Sequence, residues 1–177
     1  MKFKLVEDFD IETDNCGNQL SAEQSKFFRD SKIRNTSNQL IVCYHGTTNE
    51  QDYETIDPRR SSYGTPSSFF GNDSEFAVSF AQRYGDRGKV YSCYLNITNP
   101  LNIDAKGADF YSVPLNGKEV HISEVARYAI THDFDGVVIQ NIKEYGDKVI
   151  TDFITFEENQ VKLVSNKTPT SNSKLNG

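Results

Sequence analysis

The sequence predicts an α+β fold with largely antiparallel sheets, and two observations predict it. Strand-like runs concentrate in the second half of the chain and are partly joined by hairpins, while two or three separate helices stand apart from them. That distribution disfavours a doubly wound parallel sheet. No internal repeat interrupts it.

Ser21-Ala-Glu-Gln24 has the form of a capping box and starts a helix that runs through Phe27 and Phe28 to about Asp30. Gln39 to Tyr44 is a continuous apolar run rich in β-branched and aromatic residues, as in a strand buried on both faces, with His45-Gly46 at its end. Residues 49 to 68 hold Asp57-Pro58, Gly64 and Thr65-Pro66 and predict a long surface loop. Asn72-Asp-Ser-Glu75 offers a second capping box. Phe76, Phe80, Ala81 and Tyr84 follow at i, i+4, i+5 and i+8, and Gly85 closes that helix.

Val90 to Ile97 predicts a strand stopped by Asn99-Pro100, with a short strand at Leu101 to Ile103 and irregular chain over 104 to 117. A helix over Ile122 to Thr131 precedes a strand over Gly136 to Asn141. The turn Lys143 to Asp147 then leads into Val149 to Phe156, completing a hairpin. Val161 to Val164 predicts a last short strand, and Ser165 to Gly177 a disordered polar tail. Residues 1–164 are expected to form one domain, with 21–30 as a helical lead-in.

A chain of 177 residues can bury its own core, and its aromatic content of 12% is too rich for a disordered polymer. The net charge of −6 disfavours a broad phosphate-gripping surface, although a local cationic groove remains compatible with it. Cys16, Cys43 and Cys93 show neither paired nor metal-like spacing, so neither disulfides nor a metal are expected. Met1 to Asp10 lacks the apolar core of a secretory signal, and no apolar run approaches the roughly 20 residues that span a bilayer. A cytoplasmic protein without membrane contact is the expectation.

The chain contains none of G-x-G-x-x-G, G-x-x-x-x-G-K-[ST], G-x-S-x-G and H-E-x-x-H, so Rossmann, P-loop, hydrolase and zincin chemistry are set aside. Three other cues remain. His45, followed by Gly46, Thr47 and Thr48, ends a buried strand, where glycine admits a ligand to the backbone and hydroxyls supply hydrogen bonds. A strand-end histidine satisfied by a nearby carbonyl is the alternative. Asp152 shares the apolar strand face of Ile150, Ile154 and Phe156, so it sits either at a sheet edge in water or in a ligand-lined cleft. Phe69-Phe70 and Phe80 form either the walls of a slot for a flat ring or ordinary core.

In order and spacing, Tyr44-His45-Gly46-Thr47, Ser67-Ser-Phe69-Phe70-Gly71 and Asp152-Phe-Ile-Thr-Phe-Glu-Glu-Asn-Gln160-Val-Lys162 resemble the three motifs of ADP-ribosyltransferases with a His-Tyr-Glu triad. Phe27-Phe-Arg-Asp-Ser-Lys32 and Tyr94-Leu-Asn-Ile-Thr-Asn-Pro-Leu101 are similar to segments of the transferase domains of phage and mobile-element polyvalent proteins. The likeness runs from about Phe27 to Val164. It implies split antiparallel sheets with an NAD cleft between them.

Carried over, the resemblance implies that His45 holds the adenosine-side or nicotinamide-side ribose hydroxyls and that the Gly46 backbone binds the nicotinamide carboxamide. Phe69 takes the place of the triad tyrosine, keeping the ring and losing the hydroxyl; Phe80 takes that of a second stacking aromatic; Tyr44 and Thr47, the ends of the Tyr-His-Gly-Thr motif, are implied as cofactor-binding residues. Asp152 stands where the family has glutamate and is one methylene shorter. Arginine-directed relatives carry a second glutamate two residues earlier, where this chain has Ile150, so arginine is disfavoured as acceptor. Arg59 and Arg60 are candidates for the NAD pyrophosphate or are solvated loop residues.

The resemblance implies NAD cleavage at the nicotinamide ribose and transfer of ADP-ribose to protein, RNA or DNA, with NAD as substrate and no metal. A toxin or a phage or defence effector, with an antitoxin or inhibitor as partner, fits that group. An NAD glycohydrolase and a catalytically weak NAD- or partner-binding module of the same fold are the alternatives.

Overall fold

The computed structural model describes residues 12–50, 52–144 and 147–164; Met1 to Asp10 and the tail expected from Ser165 lie outside them. In chain order the elements are α1 (Ala22–Phe27), β1 (Cys43–Thr47), a 3-10 turn (Pro58–Arg60), β2 (Ser68–Gly71), α2 (Ser74–Ala81), β3 (Lys89–Leu95), β4 (Pro100–Asp104), β5 (Val113–Leu115), β6 (Lys118–Val120), α3 (Ile122–Thr131), β7 (Gly136–Lys143), β8 (Val149–Thr155), a second 3-10 turn (Glu158–Gln160) and β9 (Val161–Leu163).

The capping box of α1 forms as its sequence implies: Ser21 Oγ accepts from the Gln24 amide at 3.1 Å, and Gln24 Oε1 accepts from the Ser21 amide at 2.8 Å. At α2 the cap is Asp73 rather than Asn72. Asp73 Oδ1 accepts from the Phe76 amide at 2.7 Å, and Asn72 Oδ1 instead accepts from the Thr151 amide at 3.0 Å, tying the start of α2 to β8. Glu75 reaches Lys148 rather than back to the cap.

Seven strands hydrogen-bond in the order β4-β7-β8-β2-β1-β3-β9, and β5-β6 form a separate two-stranded sheet. Every neighbouring pair is antiparallel except β4 and β7. A parallel pair needs a crossover, and here the crossover carries α3, which packs on β7. Among the described residues β1 and β2 share one register pair, Tyr44↔Gly71, after which they diverge. The sheet is therefore split into β4-β7-β8-β2 and β1-β3-β9, giving the split, largely antiparallel α+β arrangement that the sequence predicts.

Apolar alternation buries both sheet faces. Val137, Ile139, Ile150 and Ile154 meet Ile122, Val125, Ala126 and Ala129 of α3, while Val138 and Phe153 turn to the other side with Phe70, Cys93, Leu95 and Ile97. Three expectations are corrected. β1 begins at Cys43 and continues through Thr47, because His45, Gly46 and Thr47 pair with Tyr91, Val90 and Lys89 of β3. Residues 68–71 form an interior strand rather than the end of a loop. Residues 113–120 form a hairpin turned by Asn116 and Gly117, both with positive φ (51° and 77°), where the sequence predicts irregular chain over 104–117.

Candidate active site

The divergence of β1 from β2 opens the space in which the candidate residues meet. His45 spans it: the ring is partly buried, and its Nδ1–H donates to the Phe69 carbonyl oxygen of β2 at 2.8 Å. That bond puts the ring hydrogen on Nδ1 and leaves the Nε2 lone pair free of a proton. Burial lowers the pKa of His45 and outweighs the opposing pull of the Phe69 carbonyl, so the imidazole is neutral.

Above the divergence lies a cavity of about 610 Å³, within the range of roughly 300–1,000 Å³ usual for small-molecule sites. Tyr44, His45, Gly46 and Thr47 line it from β1, and Phe69 and Gly71 from β2. Phe76, Ala77 and Phe80 of α2 form one wall. Tyr53, Arg60 and Tyr63 form another, and Phe110, Tyr111 and His121 a third. Among the aromatics, Tyr63 meets Phe69 edge to face with centroids 5.4 Å apart and lies 5.5 Å from His121.

Asp152 lies in β8 between Gly71 of β2 and Ile139 of β7. Because β8 is interior to the sheet, the sheet-edge alternative falls away: the side chain is 5% exposed and lines the cavity. A Cβ at position 71 would stand 3.6 Å from Asp152 Oδ1, so Gly71 leaves the carboxyl uncovered on that side. Burial raises the Asp152 pKa well above the usual carboxylate range, and the neighbouring Glu144 carboxyl raises it further.

Gly46 has a packing reason that the sequence did not reveal. A Cβ there would fall 2.4 Å from the Ala77 carbonyl oxygen, so glycine lets α2 lie directly on β1. Of the residues singled out from sequence, the fold brings Tyr44, His45, Gly46, Thr47, Arg60, Phe69, Phe80 and Asp152 to one cavity. It does not bring Arg59. That side chain pairs with Asp57 at 2.8 Å and Glu158 at 3.5 Å and faces a separate groove with Pro58 and Phe156. Arg60, by contrast, lies over the Tyr53 ring at 5.3 Å on the cavity side.

Sequence reasoning missed Glu144, Tyr63, Tyr111 and His121. Glu144 sits where the chain shows only a turn. Tyr63 and Tyr111, 42% and 67% exposed, stand in irregular segments, and large aromatics in such segments were the available signal. No helix of the described residues is long and apolar enough to cross a membrane.

Two comparisons bear on the site. No curated protein matches the chain. The family model described as ADP-ribosyltransferase in polyvalent proteins matches residues 35–171, which include every cavity residue named above.

Proposed function

The chain belongs to the family of ADP-ribosyltransferases in polyvalent proteins, and from that premise we propose that its cavity binds NAD⁺, cleaves the bond to nicotinamide and transfers ADP-ribose to a macromolecule. The observation that carries this reading is the pairing of a neutral, Nδ1-protonated His45 with a buried Asp152 on strands either side of one parting.

In this reading His45 Nε2 accepts a hydrogen bond from a ribose hydroxyl, and the β1 backbone at Gly46 meets the nicotinamide carboxamide. Phe69 and Phe80 offer ring faces to nicotinamide, and Arg60 meets the pyrophosphate. The carboxyl of Asp152 addresses the ribose 2′-hydroxyl. As the C1′–N bond breaks, both bonding electrons leave with nicotinamide and positive charge passes to the ribose, where fixed negative charge stabilises it. The acceptor then bonds to C1′ and loses its proton. Toxicity to bacteria, or a role in phage or mobile-element conflict, follows if the acceptor is essential.

The test is incubation of the pure protein with adenine-labelled NAD⁺ in a bacterial lysate, alongside Asp152→Ala, followed by separation of protein, nucleic acid and small molecules. Label in one macromolecular fraction, at least ~100-fold weaker in the variant, is expected on the scale of misplaced catalytic groups. Label only in free ADP-ribose makes water the acceptor and the protein a glycohydrolase. Two observations favour a second reading, a binding module: burial raises the Asp152 pKa well above the usual carboxylate range, and Phe69 lacks a hydroxyl. Calorimetric NAD⁺ binding without turnover selects it.

A further inference from the structure

Burial favours the protonated form of Asp152, which cannot by itself supply negative charge to a cationic ribose, and the fold places a second carboxyl beside it. β7 and β8 pair through Ile139↔Asp152 and Ile142↔Ile150 across a bulge, so Glu144 continues the face of β7 that Ile142 shares with Ile150 and Asp152. The Glu144 amide donates to the Lys148 carbonyl at 2.8 Å, which holds the residue at the mouth of the hairpin. Its side chain lines the cavity and hydrogen-bonds the Asp152 carboxyl.

A carboxyl–carboxyl hydrogen bond requires a proton on one partner, since two carboxylates offer acceptors and no donor. Asp152 is 5% exposed, whereas Glu144 is only partly buried, so desolvation puts the proton on Asp152 and the charge on Glu144. We propose that Glu144 is a catalytic residue of this site: with Asp152 it forms a two-carboxyl, one-proton unit in which Glu144 bears the negative charge that faces the ribose. The inference rests on the NAD⁺-cleaving reading above.

Burial raises the Glu144 pKa and like-charge repulsion from Asp109 adds to it, while the hydrogen bond with Asp152 lowers it; the nearby cations are engaged elsewhere. Lys143 is paired to Asp147, and Lys148 to Asp73 and Glu75. His45 is neutral, and His121 lines the same cavity beside Phe110. In the transfer step the C1′–N electron pair leaves on nicotinamide and the acceptor's nucleophilic atom bonds to C1′. The acceptor's proton passes to the Glu144 carboxylate and then to solvent, so charge and atoms balance.

The test combines nicotinamide release from NAD⁺ as a function of pH with a carboxyl-carbon NMR titration, for the wild type, Glu144→Gln and Glu144→Asp. A coupled pair loses its protons in two separated steps. Glu144→Gln is expected to replace them with one intermediate step at Asp152. The variant should lose at least tenfold in release at neutral pH and move the acid limb of the profile to higher pH, because only the more buried carboxyl is left to ionise. Glu144→Asp should recover part of the rate. A purely structural Glu144 would lower the rate without moving the limb. Wild-type rate and profile in Glu144→Gln, or an Asp152 titration unchanged by it, overturn the proposal alone. Absence of nicotinamide release from the wild type overturns the cleavage reading and this proposal together.

Discussion

Gly46→Ala isolates the contact that sets the cavity wall. Position 46 lies in ordinary strand geometry, outside the left-handed region, so alanine costs nothing in the backbone itself. The cost arises from the methyl group, which lands 2.4 Å from the Ala77 carbonyl oxygen. Carbon and carbonyl oxygen settle no closer than about 3.3 Å, so α2 must retreat by roughly 1 Å. Overpacking of that kind costs about 1–3 kcal/mol, and at this chain length each kcal/mol moves Tm by about 2–4 °C, a fall of roughly 2–12 °C. The retreating helix carries Phe76 and Phe80, both in the cavity wall. A displacement of about 1 Å at a substrate-positioning group lowers turnover on the order of 100-fold. Thermal melting by circular dichroism and nicotinamide release on the same preparation measure both effects. A variant with wild-type Tm and wild-type release would refute the claim that the α2 backbone rests on Gly46.

The arginines separate by position: Arg60→Ala should raise the KM for NAD⁺ roughly tenfold or more, the scale of a charge-assisted bond to phosphate, while Arg59→Ala, paired outside the cavity, should leave it within about twofold; steady-state kinetics that reverse this order would move the pyrophosphate to the other groove. Asp14 is fully buried and accepts from the Cys16 and Asn18 amides, Asn18 Nδ2 and the Tyr94 hydroxyl at 2.8–2.9 Å. Burial raises its pKa, but these bonds outweigh burial and the net shift is downward. Its stabilising effect is therefore present above the unfolded aspartate value, about 3.9, and is lost as pH falls through the lower folded value. Asp14→Asn should lower stability at pH 7 by about 1–3 kcal/mol and show a smaller loss between pH 7 and pH 3 than the wild type; an equal acid loss in melting experiments would remove Asp14 from the account.

What could be read from the sequence was what local chemistry decides. Ser21 and Gln24 announced α1, and the apolar period of residues 122–131 gave α3 its full extent. Strand alternation placed Asp152 on the face of Ile150 and Ile154, and the fold puts it there. Contacts between distant segments were hidden. Asn72 and Asp73 are equally good caps, and the choice between them was made by Thr151, which takes the Asn72 side chain. Ser68–Gly71 is too short to show a period, and pairing with β8 makes it a strand. Asn116-Gly117 is by contrast a local turn signal, and both residues take positive φ. Glu144 carried no signal at all, because its meaning comes from an Asp152 eight positions away across a bulged hairpin.

The one rung between Tyr44 and Gly71 makes the molecule a pair of leaves with a narrow spine. His45 rides on one leaf and Asp152, through β2 and β8, on the other, and the His45 bond to Phe69 is the stitch beside the spine. The angle between the leaves thereby bears directly on the separation of the two groups. Sequence change at the outer rims can remodel the surface around the cavity while that angle stays constant, whereas any change at the spine is felt by histidine and carboxyl together.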